Sequence, residues 1–134
     1  MASMKIDHIA IWTRQLEILK AFYMDYFQGE AGSMYHNKNK NFKSYFLTFG
    51  TGARLEIMSS PGIPENQNDR IASQHQGIIH IAFELSSRKK VDEKAEELTR
   101  AGIRILDGPR VTGDGYYEFV TLDPDNNRLE VTAK

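Results

Sequence analysis

The chain has 134 residues, of which 40% are hydrophobic and 26% charged, a composition typical of one globular domain with a buried core. Its formal net charge of −1 gives no electrostatic basis for binding nucleic acid or an anionic membrane surface. The absence of cysteine excludes disulfides and thiolate metal sites, and without a long apolar run or an apolar leader we expect a cytoplasmic protein with no membrane partner.

The first strand predicted along the chain has a near copy 72 positions later. Residues 5–12 read KIDHIAIW and residues 77–84 read GIIHIAFE, so His8 aligns with His80. The likeness continues at slightly larger offsets, as one extra residue in the last turn of the second copy would explain. The later matches are 46–49 with 119–122 and 54–57 with 128–131. Because the order and spacing persist along both halves, we interpret them as two copies of one structural module.

In the first copy, the stretch from Ile6 to Trp12 places His8, Ala10 and Trp12 on one face and Ile9 and Ile11 on the other, which predicts a strand with one face on a core. Thr13 is expected to cap an amphipathic helix from Arg14 to about Gln28, with Gly29 at its left-handed end. A weak strand around 33–36 and two further strands complete a βαβββ module over residues 5–58. The two further strands are predicted at 42–49 and 54–58.

The segment 59–76 holds two prolines and many polar residues, and we interpret it as a linker. The second module, residues 77–134, repeats the order: a strand, a helix capped by Ser86 or Ser87 and ending at Gly102, and three strands. These strands are predicted at 78–85, 103–106, 116–122 and 128–132. We therefore predict one α+β domain, 1–134, whose two tandem βαβββ modules form a cupped, largely antiparallel sheet with the helices on the outer face.

Two histidines and two glutamates occupy repeat-equivalent strand positions. The immediate neighbours of each are apolar or mostly so; if those neighbours bury against the helices, the four polar side chains point to the opposite face of the sheet. The four candidates are His8, Glu56, His80 and Glu130. By the same alternation, Arg54, Arg128, Thr48 and Thr121 are expected on that face.

Two imidazoles and two carboxylates suit a divalent first-row metal ion, so we expect Zn, Ni, Co, Fe or Mn as cofactor. Taken singly, each residue has an ordinary structural interpretation. A lone strand histidine usually satisfies a local hydrogen bond, and a strand glutamate commonly pairs with a neighbouring arginine such as Arg54 or Arg128. His36 and His75 lie in polar, irregular stretches, and we expect both to be exposed.

The tandem module, its four candidate ligands, the pair Phe22-Tyr23 and the terminal DPD…RLE pattern resemble the vicinal oxygen chelate superfamily, in particular the glyoxalase I or lactoylglutathione-lyase-like branch. The resemblance implies a metal held between two modules and a small substrate that binds it through adjacent oxygens. The order His-Glu-His-Glu is similar to that of bacterial metal-dependent glyoxalase I. It implies a lyase or isomerase in which Glu130 is both ligand and proton-transfer base, with Glu56 as its symmetric catalytic counterpart.

The same resemblance leaves alternatives open. One is a metal-free, bleomycin-resistance-like module that binds a drug or metabolite. Another is a different metal-dependent member, such as an epimerase, which usually has glutamine at position 56, or a dioxygenase, which has histidine there. Trp12 replaces the arginine that glyoxalase I uses for glutathione, so glutathione is disfavoured as co-substrate. Family members build the site within one chain or between two, and we expect a homodimer.

Overall fold

The computed structural model describes residues 3–65 and 73–134. They fall into two compact units, with the boundary between residues 66 and 67. Each unit contains one helix and one mixed sheet, which confirms the predicted α+β class and the tandem modules. Part of the predicted linker, residues 66–72, lies outside the described residues. In the part of the chain that the structure describes, neither helix is long and apolar enough to cross a membrane.

Unit one consists of a helix and five strands. These are β1 His8–Trp12, α1 Leu16–Phe27, β2 Glu30–Ala31, β3 Tyr35–Asn37, β4 Phe42–Thr48 and β5 Arg54–Ser59. The sheet has the order β1-β5-β4-β2, and β3 pairs with the first half of β4, residues 42–44. The pair β1 and β5 is parallel, and all other pairs are antiparallel. Two short strands, β2 and β3, thus replace the weak strand predicted around residues 33–36.

One face of the unit-one sheet is buried under α1. Leu19 and Tyr23 of the helix are fully buried, as are Leu47 of β4 and Ile57 of β5. Leu55 is nearly so. Since side chains alternate along a strand, the residues between these apolar positions lie on the opposite, open face of the sheet.

The ends of α1 differ from the prediction. Gln28, rather than Gly29, has the left-handed conformation, with φ of 58°. Gly29 is needed for another reason: a Cβ there would lie 3.1 Å from the Phe49 ring. At the other end, Gln15 occupies the N-cap position without a side-chain cap, while the Thr13 hydroxyl accepts a hydrogen bond from the Gln15 backbone N–H at 3.0 Å.

Unit two consists of β6 His80–Glu84, α2 Arg88–Arg100, β7 Ile105–Val111, β8 Tyr117–Leu122 and β9 Arg128–Ala133. Its sheet has the order β6-β9-β8-β7, again with one parallel pair, β6 and β9. The Ser87 hydroxyl, one of the two predicted caps, caps α2 by accepting a hydrogen bond from the Lys90 N–H at 3.2 Å. The fully or almost fully buried hydrophobic residues of unit two are Val91, Leu98, Phe119, Leu129, Val131 and Ala133.

The pairing registers correct the sequence alignment of β4 with β8. Phe46 lies opposite Glu56, whereas Val120 lies opposite Glu130. Val120 is therefore the structural equivalent of Phe46, and the extra residue of the second module enters before β8, not after it. Thr121 consequently points to the helix side and is fully buried, with its hydroxyl donating to the Arg104 carbonyl at 2.7 Å. The prediction that Thr121 lies on the open face is wrong, because a shift of one residue turns every side chain to the other face.

Candidate metal centre

In unit one, the parallel pairing of β1 with β5 brings His8 close to Glu56. His8 lies opposite Arg54, and Ala10, two residues further on, lies opposite Glu56. The imidazole and the carboxylate are therefore diagonal neighbours on the open face, with Nε2 3.8 Å from Oε1. A nitrogen and an oxygen donor thus face the same space.

Unit two repeats this arrangement. His80 lies opposite Arg128, and Ala82 lies opposite Glu130. The Nε2 atom of His80 is 3.4 Å from Oε2 of Glu130. The same register in both units is the physical origin of the repeated His and Glu positions.

All four side chains are accessible, to different degrees. The side chains of His8 and His80 are 38% and 39% exposed, and those of Glu56 and Glu130 are 16% and 21% exposed. Both N to O distances exceed those of an ordinary N–H···O hydrogen bond. Each pair can therefore receive a ligand atom without first breaking a strong contact within the pair.

Asp7, which was not among the predicted site residues, fixes the orientation of His8. Its carboxylate lies 2.7 Å from His8 Nδ1 and 2.7 Å from the Arg54 guanidinium. Hydrogen bonds from His8 and Arg54 lower the pKa of Asp7 below its ordinary value, so Asp7 is an acceptor. His8 Nδ1 is then the donor of this hydrogen bond, and Nε2 is directed toward Glu56. The sequence signal that could have identified Asp7 is its position directly before His8.

Arg54 belongs to this network and not to a pair with Glu56. Its guanidinium lies 4.3 Å from the centre of the Phe46 ring, and that ring meets His8 edge to face at 5.1 Å between centroids. Arg54 therefore holds Asp7 beside Nδ1 of the imidazole, and Phe46 packs against Arg54 and His8. Unit two has no equivalent of Asp7, because Ile79 precedes His80.

Unit two has instead a second carboxylate beside its pair. Glu118 lies opposite Thr132 on β9, on the same face as Glu130 and one diagonal step from it. Burial raises the pKa of Glu118, and the neighbouring charge of Glu130 and a hydrogen bond between the two carboxyl groups raise it further. The sequence alone did not reveal Glu118, because the match of residues 46–49 with 119–122 gives β8 the wrong face.

The remaining candidate residues lie elsewhere. His36 is exposed as expected, but His75 is half-buried, with Nδ1 3.0 Å from the Gln76 carbonyl oxygen. A polar cavity of about 550 Å³ in unit one is lined by neither His8 nor Glu56. It lies instead beside the start of α1 and the end of β5, between Arg14 and Lys43.

The donor chemistry of each unit fits half of a metal site. In the described residues of either unit, no three His, Asp or Glu side chains form a cluster that could hold a metal ion. Each unit offers one imidazole nitrogen and one carboxylate oxygen, whereas first-row divalent ions take four or more ligands. One His and Glu pair therefore supplies two donors of the type that such an ion takes, and each unit has one such pair.

The two units define a class of tandem βαβββ proteins in which each module exposes a His and Glu pair on the sheet face opposite its helix. A family profile with the description Glyoxalase/Bleomycin resistance protein/Dioxygenase superfamily matches residues 5–131. The chain belongs to this superfamily.

Known proteins resemble the chain over its full length in structure. A glyoxalase family protein from Enterococcus faecalis is 26% identical, with a TM-score of 0.76 over 98% of this chain and 99% of that one. A mutant of the fosfomycin resistance protein FosX from Listeria monocytogenes is also 26% identical, with a TM-score of 0.71 over 98% and 92%. The uncharacterized protein YqjT of Bacillus subtilis is 38% identical over 60 residues, 42% of this chain and 47% of YqjT, so the match spans about half of that relative.

Proposed function

We propose that this protein is a metal-dependent lyase or isomerase of the glyoxalase type, acting on a small molecule with two adjacent oxygens. The observation that carries the proposal is the repeated pair: each module places one histidine Nε2 beside one glutamate carboxylate on an open sheet face. His8, Glu56, His80 and Glu130 would together hold one divalent cation. The two half-sites would come from one chain or from two copies in a homodimer.

A divalent cation in such a site polarises adjacent substrate oxygens and so acidifies the C–H bond beside them. In our proposal, Glu130 accepts the proton from that bond and returns it to the neighbouring carbon. Glu118 lies beside Glu130 and shares a hydrogen bond with it. A positioned general base contributes typically about 10² to 10⁴-fold in rate.

The FosX structure resembling this chain contains Mn(II) and 1S,2S-dihydroxypropylphosphonic acid. That ligand is a small molecule with hydroxyls on adjacent carbons, and it supports a substrate of similar size and oxygen pattern here. Glutathione receives no such support, because Trp12, an uncharged residue, follows His8 by four positions on the same strand face.

Replacing Glu130 by Gln tests the role of the base. Gln keeps an oxygen for the metal but cannot accept the proton, so we expect turnover of hemithioacetal substrates, made from 2-oxoaldehydes and several thiols, to fall about 10² to 10⁴-fold. Metal content should stay near that of the parent. The matched variant Glu56→Gln should lose less activity, because Glu56 acts mainly as a ligand in our proposal. Unchanged activity in Glu130→Gln would remove Glu130 from the role of base.

A further inference from the structure

The open face of unit one carries an exposed aromatic cluster, consisting of Trp12, Phe42 and Tyr35. Trp12 is 46% exposed and Tyr35 56%, so the cluster is open to solvent. The rings of Trp12 and Phe42 meet edge to face at 5.9 Å between centroids, and Phe42 lies 6.0 Å from Tyr35. Exposed aromatic rings that already support one another offer a preformed surface for another planar group.

This aromatic cluster is continuous with the unit-one half-site. Trp12 follows His8 by four residues, so both side chains lie on the same face of β1, with Ala10 between them. At about 3.3 Å per residue, their Cα atoms are about 13 Å apart. The neighbouring strand places Met58 opposite Trp12. Ala10, the residue between His8 and Trp12 on this face of β1, is small and uncharged.

Unit two differs at the same place. The repeat equivalent of Trp12 is Glu84, which lies opposite Thr132, with Glu118 on the far side of Thr132. These three neighbouring positions, Glu84, Thr132 and Glu118, carry two carboxylates and no aromatic side chain. Phe42 has an aromatic equivalent in unit two, Tyr116, whereas Trp12 is replaced by Glu84, so Trp12 is the feature that the module repeat does not account for.

We infer that the substrate carries an aromatic group separated by a short spacer from its two metal-binding oxygens, and that Trp12 and Phe42 stack against it. This inference rests on the proposed function, because the oxygens are placed at the His8 and Glu56 half-site. Trp12 is then a specificity residue: it selects a planar, uncharged end of the molecule that extends along β1 away from the chelating oxygens.

Trp12 is the single tryptophan of the chain, so its fluorescence reports directly on this surface. The probes are acetohydroxamate, which has two adjacent oxygens and no tail, and phenylalkyl hydroxamates of increasing tail length. A phenylalkyl amide of equal length carries the ring without the chelating head. Each is titrated into the full chain with and without Zn²⁺, by fluorescence for the parent and by calorimetry for all variants.

With Zn²⁺, we expect the best phenylalkyl hydroxamate to bind roughly tenfold more tightly than acetohydroxamate and to change Trp12 fluorescence, since an aromatic contact adds both stacking and apolar burial. Trp12→Ala should remove this advantage and leave acetohydroxamate binding unchanged, whereas Trp12→Phe should keep most of it. Ile18→Ala, which truncates an exposed apolar residue on α1, is the control and should have no effect.

The inference is overturned if the phenyl tail adds no affinity to the parent, or if its advantage survives in Trp12→Ala. The proposed function fails separately, when no hydroxamate shows Zn²⁺-dependent binding. In that case, a phenylalkyl amide that still changes Trp12 fluorescence would support the aromatic surface on its own.

Discussion

Replacing Asp7 by Asn tests how the unit-one half-site is organised. The Asp7 carboxylate accepts hydrogen bonds from His8 Nδ1 and from Arg54, both at 2.7 Å. It thereby keeps the proton on Nδ1 and leaves Nε2 available beside Glu56. Asn retains the size of the side chain but loses the charge that favours this tautomer.

The expected loss follows from the behaviour of outer-shell carboxylates. Removing such a partner from a metal-binding histidine weakens metal affinity by about 10 to 100-fold. Asp7 is 63% exposed, so solvent screens its charge and we expect a loss near the lower end, about tenfold. The loss should appear in competition with a chromophoric chelator for Zn²⁺ or Co²⁺.

A second readout does not require metal. Long-range ¹H–¹⁵N spectra of the histidine rings should show the Nδ1–H tautomer for His8 in the parent and a shift toward the Nε2–H tautomer in Asp7→Asn. Asp25→Asn makes the same charge change on an exposed position of α1 and should alter neither property. If Asp7→Asn matched Asp25→Asn in both metal affinity and tautomer, the orienting role of Asp7 would be refuted.

Two further predictions concern stability. Tyr45→Phe removes the hydrogen bond that the buried Tyr45 hydroxyl donates to Glu17 at 2.6 Å, and it should lower the free energy of unfolding by about 1 kcal/mol near pH 7, measured by urea denaturation. The bond lowers the pKa of Glu17, so this contribution is present above the ordinary carboxylate pKa and should vanish as the pH falls through the lowered value; a deficit that persisted at low pH would contradict this account. Gly29→Ala places a Cβ 3.1 Å from the Phe49 ring and should cost about 1 kcal/mol or more, whereas Gly113→Ala, with open space around the new Cβ, should be almost neutral. Equal stability of the two glycine variants would show that the approach of Gly29 to Phe49 is relaxed at little cost.

The sequence could predict the modules and the open faces, because both depend on local periodicity. His8, Glu56, His80 and Glu130 alternate with apolar neighbours, and the structure buries Leu55, Ile57, Leu129 and Val131 under the helices as that pattern requires. Each histidine consequently meets the glutamate of its own module. Whether the four residues bind a metal remains a prediction.

What the sequence could not predict depends on contacts between strands. Thr121 was predicted on the wrong face and Glu118 was overlooked. Both errors arose because the match of residues 46–49 with 119–122 placed the extra residue after β8. The register of β7 with β8 shifts between Ile105 and Arg110, so irregular pairing precedes β8, where the extra residue enters. Asp7 precedes β1, so alternation along the strand did not constrain its side chain, and only the structure shows its contact with Arg54, 47 positions away.

The most direct test of the account is the metal content of the purified, unchelated protein, compared with the double variant His8→Ala, His80→Ala. The control is His36→Ala, His75→Ala, which also removes two of the four histidines of the chain. Because each chain provides two half-sites, we predict close to one transition-metal ion per chain in the parent and the control, and almost none in the His8 and His80 variant. A parent that stays metal-free after reconstitution with Zn, Ni, Co, Fe and Mn, or a His8 and His80 variant that keeps its metal, would contradict the account.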